Sequence, residues 1–90
     1  MKVEVKLFAQ LREKMSSGRV EVELKDGAKL SDLLRLLAGR WPQVFLGTAL
    51  NESGELAKGY TVLVNAKSVG LEHELKDGDL VALLPPVGGG

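Results

Sequence analysis

No cysteine occurs in the chain, so disulfides, thiolate metal sites and a cysteine nucleophile are all excluded. Histidine occurs once, as His73 between Glu72 and Glu74, and with no companion ligand it reads as a solvated surface group, not a catalyst or a metal site. An excess of either charge is missing as well. Twelve basic residues balance 12 acidic ones, and no Lys or Arg cluster alternates with aromatics, so the footprint of a nucleic-acid or anionic-membrane binder is absent. No apolar run approaches the roughly 20 residues that a bilayer requires. The opening residues 1–8 alternate in polarity, unlike the apolar stretch of a signal peptide, and a cytoplasmic location is expected. Side-chain amides are confined to Gln10, Gln43, Asn51 and Asn65, a scarcity that suits a thermophile. What remains is an ordinary globular composition, 44% hydrophobic and 27% charged, in 90 residues that are enough for one domain.

Periodicity orders that domain. Val3, Val5 and Leu7 alternate with Lys2, Glu4 and Lys6, as a half-buried strand requires. Residues 9–18 read as a connecting turn with one helical turn. Val20, Val22 and Leu24 then alternate with Arg19, Glu21 and Glu23 to give a second strand and an N-terminal hairpin. After the turn pair Asp26-Gly27, residues Leu30, Leu33, Leu34, Leu37 and Trp41 recur at helical spacing until Pro42 stops them, predicting one amphipathic helix over 30–40 with Trp41 packed at its end. Residues 43–59 have little periodicity and read as a long loop with short helical pieces, lying outside the core. A β-rich run spans 60–65, a short strand is expected over 68–71, and the turn Lys76-Asp77-Gly78-Asp79 feeds a last strand over 80–84. The two carboxylates flanking Gly78 are turn formers, not metal ligands. Strands flanking a single long helix imply an α+β β-grasp, a mixed sheet of four to five strands with the helix packed across one face and the first and last strands as parallel central neighbours.

The domain is expected to occupy residues 1–84, followed by the flexible tail Pro85-Pro86-Val87-Gly88-Gly89-Gly90. A terminal Gly-Gly alone is weak evidence, since it arises by chance in roughly half a percent of chains. Here it follows a last strand and a Pro-Pro pair that favours an extended spacer. Six residues reach roughly 20 Å. Without Cβ atoms, Gly88 and Gly89 are able to thread a partner's narrow active site and bring the carboxylate of Gly90 up to a nucleotide. That carboxylate is inert towards sulfur until adenylation by ATP supplies a leaving group. In this reading the chain needs no catalytic side chain of its own and binds no metal or cofactor, the ATP and magnesium belonging to an activating partner.

The segments Leu7-Phe8-Ala9-Gln10-Leu11-Arg12-Glu13, Val64-Asn65, Leu75-Lys76-Asp77-Gly78-Asp79 and Leu83-Leu84-Pro85-Pro86-Val87-Gly88-Gly89-Gly90 together resemble the small subunit of molybdopterin synthase, within the ubiquitin-like sulfur carriers. The resemblance runs the length of the chain, and its most specific part is the Pro-Pro-Val ending. It implies that a ubiquitin-activating-type enzyme adenylates Gly90, that a sulfur donor converts it to a thiocarboxylate, and that the large synthase subunit delivers the sulfur to a cyclic pyranopterin. That pterin becomes the ligand of molybdenum or tungsten. The family pattern ends in two glycines, and Gly88 makes a third. Relatives on this fold carry sulfur for thiamine synthesis or tRNA thiolation, or become attached to protein lysines. A plain β-grasp binding module with an inert tail stands as a further alternative.

Strand phase also predicts a docking face. If Val3, Val5 and Leu7 point inward, Phe8 falls on the opposite face. The same alternation leaves Ala82, Leu84 and Leu63 there, so Phe8, Leu63, Ala82 and Leu84 are expected to form one exposed apolar patch beside Pro85, Pro86 and Val87. Contiguous exposed apolar groups mark interfaces.

Overall fold

Alternation at the start of the chain builds the strand expected of it. The computed structural model describes residues 1–86. Within it β1 (Lys2–Leu7) buries Val3, Val5 and Leu7 and turns its charged residues away from the core. Helix α1 (Ala9–Met15) follows, two turns where one was expected, because Leu11 is fully buried and Met15 packs beside the core one turn later. Ser16, at φ 59°, ends it by donating its backbone N–H to Glu13. β2 (Arg19–Glu23) then returns antiparallel to β1, setting Val22 against Val3 and Val20 against Val5.

Helix α2 spans Leu30–Arg40, as its apolar spacing predicts, and buries Leu30, Leu33, Leu34 and Leu37. Each leucine so buried contributes about 1.5–3 kcal/mol. Its first turn is satisfied from two sides. The Asp32 carboxylate accepts from the Lys29 N–H at 2.9 Å, while the N–H groups of Leu30 and Ser31 donate to the carbonyls of His73 and Leu71 at 2.9 and 3.0 Å. Those two bonds correct one expectation. Strand β4 is only Lys67–Ser68, and the expected pairing over 68–71 does not continue because the chain leaves the sheet to cap α2.

Pro42 opens a short helix, α3 (Pro42–Phe45). The segment 43–59 is not peripheral, contrary to its sequence reading: Val44, Phe45, Ala49 and Leu50 are all buried, and Phe45 is the largest fully buried side chain. Four apolar residues spread over a tight helical turn and a loop follow neither a 3.6 nor a 2.0 period. Thr48 Oγ1 donates to the carbonyls of Val44 and Phe45 at 2.6 and 2.9 Å, and Leu50 donates its N–H to Phe45 at 2.9 Å, satisfying the irregular backbone locally.

β3 (Thr61–Val64) joins β4 through Asn65 and Ala66, both at positive φ (51° and 68°), the requirement of a two-residue hairpin turn. β5 (Leu80–Leu84) closes the sheet in the order β2-β1-β5-β3-β4, parallel to β1 and antiparallel to β3. The chain is a β-grasp, with α2 against the inner face over Val3, Val5, Val62, Val64, Val81 and Leu83.

Candidate functional site: the outer sheet face and the root of the tail

The register brings the four patch residues together. Lys6 pairs with Ala82 and Leu7 with Leu83, so one step further Phe8 lies across from Leu84. On the other side of β5, Leu63 pairs with Ala82 and Thr61 with Leu84. Phe8, Leu63, Ala82 and Leu84 therefore share the outer face, but they are half-buried and not fully exposed. Among the described residues the one large hydrophobic that is openly exposed is Leu71, at 43%. Lys6 supplies part of the cover: its ammonium sits over the Phe8 ring, 5.8 Å from the centroid. Phe8 itself is still extended (φ −131°, ψ 155°), and Ala9 at φ 52° turns the chain out of the strand immediately after it.

Leu80 belongs to the same face and was not among the residues singled out from sequence. It is half-buried opposite Glu4, in phase with Ala82 and Leu84. The alternation that exposed Ala82 was sufficient to find it. Beyond β1 the face changes character. Arg19 Nη1 lies 2.7 Å from Glu4 Oε1, and Lys2 Nζ lies 4.0 Å from Glu21. The outer face is thus apolar over β5 and β3 and charged over β1 and β2, with Lys6 and Phe8 at the seam.

At the far end of β5, Pro85 is half-buried and Pro86 exposed. Neither has an N–H, so the ladder ends and the chain is released from the sheet at the apolar edge. Val87, Gly88, Gly89 and Gly90 lie outside the described residues.

The opposite end of β5 explains two of the sequence segments. Asn65 donates from Nδ2 to Asp79 Oδ1 at 2.9 Å and accepts the Leu80 N–H at 3.0 Å. Asp79, the one buried carboxylate among the described residues at 8% exposure, also accepts the Lys76 N–H at 2.8 Å. Asp77 accepts the Lys2 N–H at 2.7 Å. Both carboxylates are thus engaged in fastening the turn to its neighbours. His73 is exposed, and Trp41 is half-buried 6.3 Å from the Phe45 ring. One titration shift stands out: hydrogen bonding and charge from Glu72 hold Lys29 above its ordinary pKa, at the start of α2 and remote from the outer face.

The model of the ThiS family matches residues 5–90. The chain belongs to the ThiS family. Small archaeal modifier protein 3 of Haloferax volcanii is 34% identical over 94 residues, covering 100% of both proteins. The crystal structure of small archaeal modifier protein 1 from the same organism superposes with a TM-score of 0.86 at 35% identity, over 96% of this chain and 98% of that one. A chain from the complex of subunits 1 and 2 of the molybdopterin-converting factor of Helicobacter pylori matches with a TM-score of 0.64 at 26% identity, covering 100% of both. The ThiS match takes in every residue of the outer patch and extends over the tail. Within the described residues of this ThiS-family chain, no helix is long and apolar enough to cross a membrane.

Proposed function

We propose that the chain is a ubiquitin-like carrier that works through its C-terminal glycine. The observation that carries this reading is the coincidence, on one sheet face, of an apolar patch and the point where the backbone leaves the ladder at Pro85. A partner docked on Phe8, Leu63, Leu80, Ala82 and Leu84 receives the tail at its own active site. One oxygen of the Gly90 carboxylate attacks the α-phosphorus of ATP on a ubiquitin-activating-type enzyme, pyrophosphate leaves, and an acyl adenylate forms. Sulfur delivered at the sulfide level by a donor then expels AMP to give a thiocarboxylate, or a lysine amine expels it to give an isopeptide.

Attachment to lysines is the destination favoured by the names of two relatives, both archaeal modifiers. A second destination is sulfur delivery to a cyclic pyranopterin beside a large synthase subunit. It is supported by the Pro-Pro-Val ending and by the converting-factor subunit found in complex with its partner subunit.

Mass spectrometry on the protein and on the lysines of its source cell tests both. A terminal oxygen replaced by sulfur is expected where sulfur, and not a lysine amine, expels the AMP. Tail remnants on lysines support the modifier, and their absence alongside a thiocarboxylate supports the pterin pathway. A carboxylate that is never adenylated by any activating enzyme of the source cell overturns the carrier reading.

A further inference from the structure

Pro86, the last described residue, lies against a glycine. Continuing the β3–β5 register two residues beyond Thr61 and Leu84 sets Gly59 across from Pro86. The approach there is close. A Cβ added to Gly59 would lie 2.8 Å from Pro86 Cγ and 3.1 Å from Pro86 Cβ. No other glycine among the described residues would bring a Cβ within 3.4 Å of anything. Gly59 also holds φ +90°, in the turn where Tyr60 donates its N–H to Ala57 at 3.1 Å before β3 begins.

These are two separate demands for glycine, and they come apart elsewhere in the molecule. Gly27 has nearly the same backbone angle, φ +86°, but nothing lies within 4 Å of an added Cβ. The conformational demand is therefore shared, while the packing demand belongs to Gly59. Its neighbour is unusual in being unable to give way. A flexible side chain would rotate aside, but the pyrrolidine ring is locked to the backbone, so displacing it redirects the chain itself.

We infer that Gly59 is a positioning residue for the tail: its missing side chain forms the seat on which the Pro86 ring lies, and this seat sets the line along which the terminal glycines leave the outer face. The inference rests on the carrier reading above. Gly90 lies four residues beyond Pro86, a lever of about 14 Å when drawn out in a partner's channel, so a tilt of roughly 10° at Pro86 moves the carboxylate by roughly 2 Å. A reacting atom displaced that far loses its attack geometry. The docking patch is untouched by such a tilt.

The test compares Gly59→Ala with Gly27→Ala, which carries the same left-handed strain without the clash. Melts of both, and of each in a Pro86→Gly background, read the contact directly. Gly59→Ala is expected to lower the melting temperature more than Gly27→Ala, with the excess vanishing in the Pro86→Gly background. The functional arm is adenylation by the activating enzyme. There Gly59→Ala is expected to lose roughly tenfold to hundredfold in kcat with KM held, and Gly27→Ala to match the wild type. Two results overturn the seat while leaving the carrier reading intact. One is a Gly59→Ala excess that persists without the Pro86 ring, and the other is adenylation equal in the two alanine variants. A wild-type chain that is not adenylated at all overturns the carrier reading and the positioning role with it.

Discussion

At its N-terminal end β5 is fastened by side chains. Asn65 and Asp79 exchange a hydrogen bond, and each also takes a backbone N–H, from Leu80 and Lys76, while Asp77 takes that of Lys2. At its C-terminal end the strand has Pro85 and Pro86, which offer no N–H, and contact with the fold is made by a ring lying against a glycine. Buried polar groups that are fully satisfied define one geometry. Two residues without donors cannot extend the ladder, so the pairing of β5 with β3 stops at Leu84. A carrier of the kind proposed above needs both properties in one strand, a fixed platform at one end and a point of release at the other. Of the four segments that carried the family resemblance, those holding Asn65 and Asp77–Asp79 fall on the platform and the one that begins at Leu83 runs into the release, while residues 7–13 lie at the end of β1 and in α1.

The most severe break of this comparison is at the released end. Deleting Gly90, or extending the chain past it with an unprocessed tag, is expected to abolish adenylate and thiocarboxylate formation completely. Every buried residue among those described lies at or before Leu83, so the melts of the wild type and the deletion should overlay. A thiocarboxylate formed on the truncated protein by its activating enzyme and ATP would remove Gly90 from the mechanism.

The next effect concerns the face between the two ends. Phe8→Glu and Leu84→Glu each place a charge in the apolar half of the outer face, and each should weaken association with the activating enzyme by about 2–4 kcal/mol. Stability should change far less, because both side chains are only half-buried and lie away from the core. Calorimetric titration alongside a melt decides the matter. Unchanged affinity, or a loss that follows unfolding, refutes the patch.

The elements that sequence predicted best are those whose burial follows one period. β5 and α2 have the expected bounds, 80–84 and 30–40, since one sheet face or one helical stripe is buried in each. The outer patch followed from the same phase, and Leu80 lay within reach of that argument. The segment 43–59 defied it because Phe45, Ala49 and Leu50 reach the core from a helical turn and a loop stabilised by local hydrogen bonds, which leave no periodic trace. β4 was misplaced because the carbonyls of Leu71 and His73 are used by the start of α2, a contact between segments some 40 residues apart that no local pattern encodes. Gly59 was invisible for the same reason. The packing part of its need for glycine depends on Pro86, a residue known to be its neighbour only once the register is fixed.

At the fastened end, Asp79→Ala removes the acceptor of two hydrogen bonds and leaves Asn65 Nδ2 and the Lys76 N–H without their partner. The expected loss of stability is about 1–3 kcal/mol, measured by denaturant unfolding. The tail should remain competent in whatever fraction stays folded, so adenylation normalised to folded protein should be unchanged. A variant that keeps its stability, or that stays folded and loses adenylation, would mean that the two ends are not divided as described.

The smallest effect sharpens what does the fastening. Glu4 also sits at this end of β5: its N–H donates to the Asp79 carbonyl at 3.0 Å, and its side chain lies 2.7 Å from Arg19 Nη1. The two contacts differ in kind. The first is backbone and survives any substitution of the side chain. The second is an ion pair whose arginine side chain is 63% exposed, and no N–H points squarely at Glu4 Oε1. Solvent screens such a pair, and ordering two long side chains offsets much of its attraction. Arg19→Met, which keeps most of the aliphatic stem over β1, should therefore change stability by no more than about 1 kcal/mol. The difference should shrink further when salt is raised to 1 M, where the screening length falls to about 3 Å. Urea unfolding of the variant at low and high salt measures both quantities. A loss as large as that of Asp79→Ala, insensitive to salt, would show that the charged half of the outer face, and not the Asn65–Asp79 pair, holds this end of the strand in place.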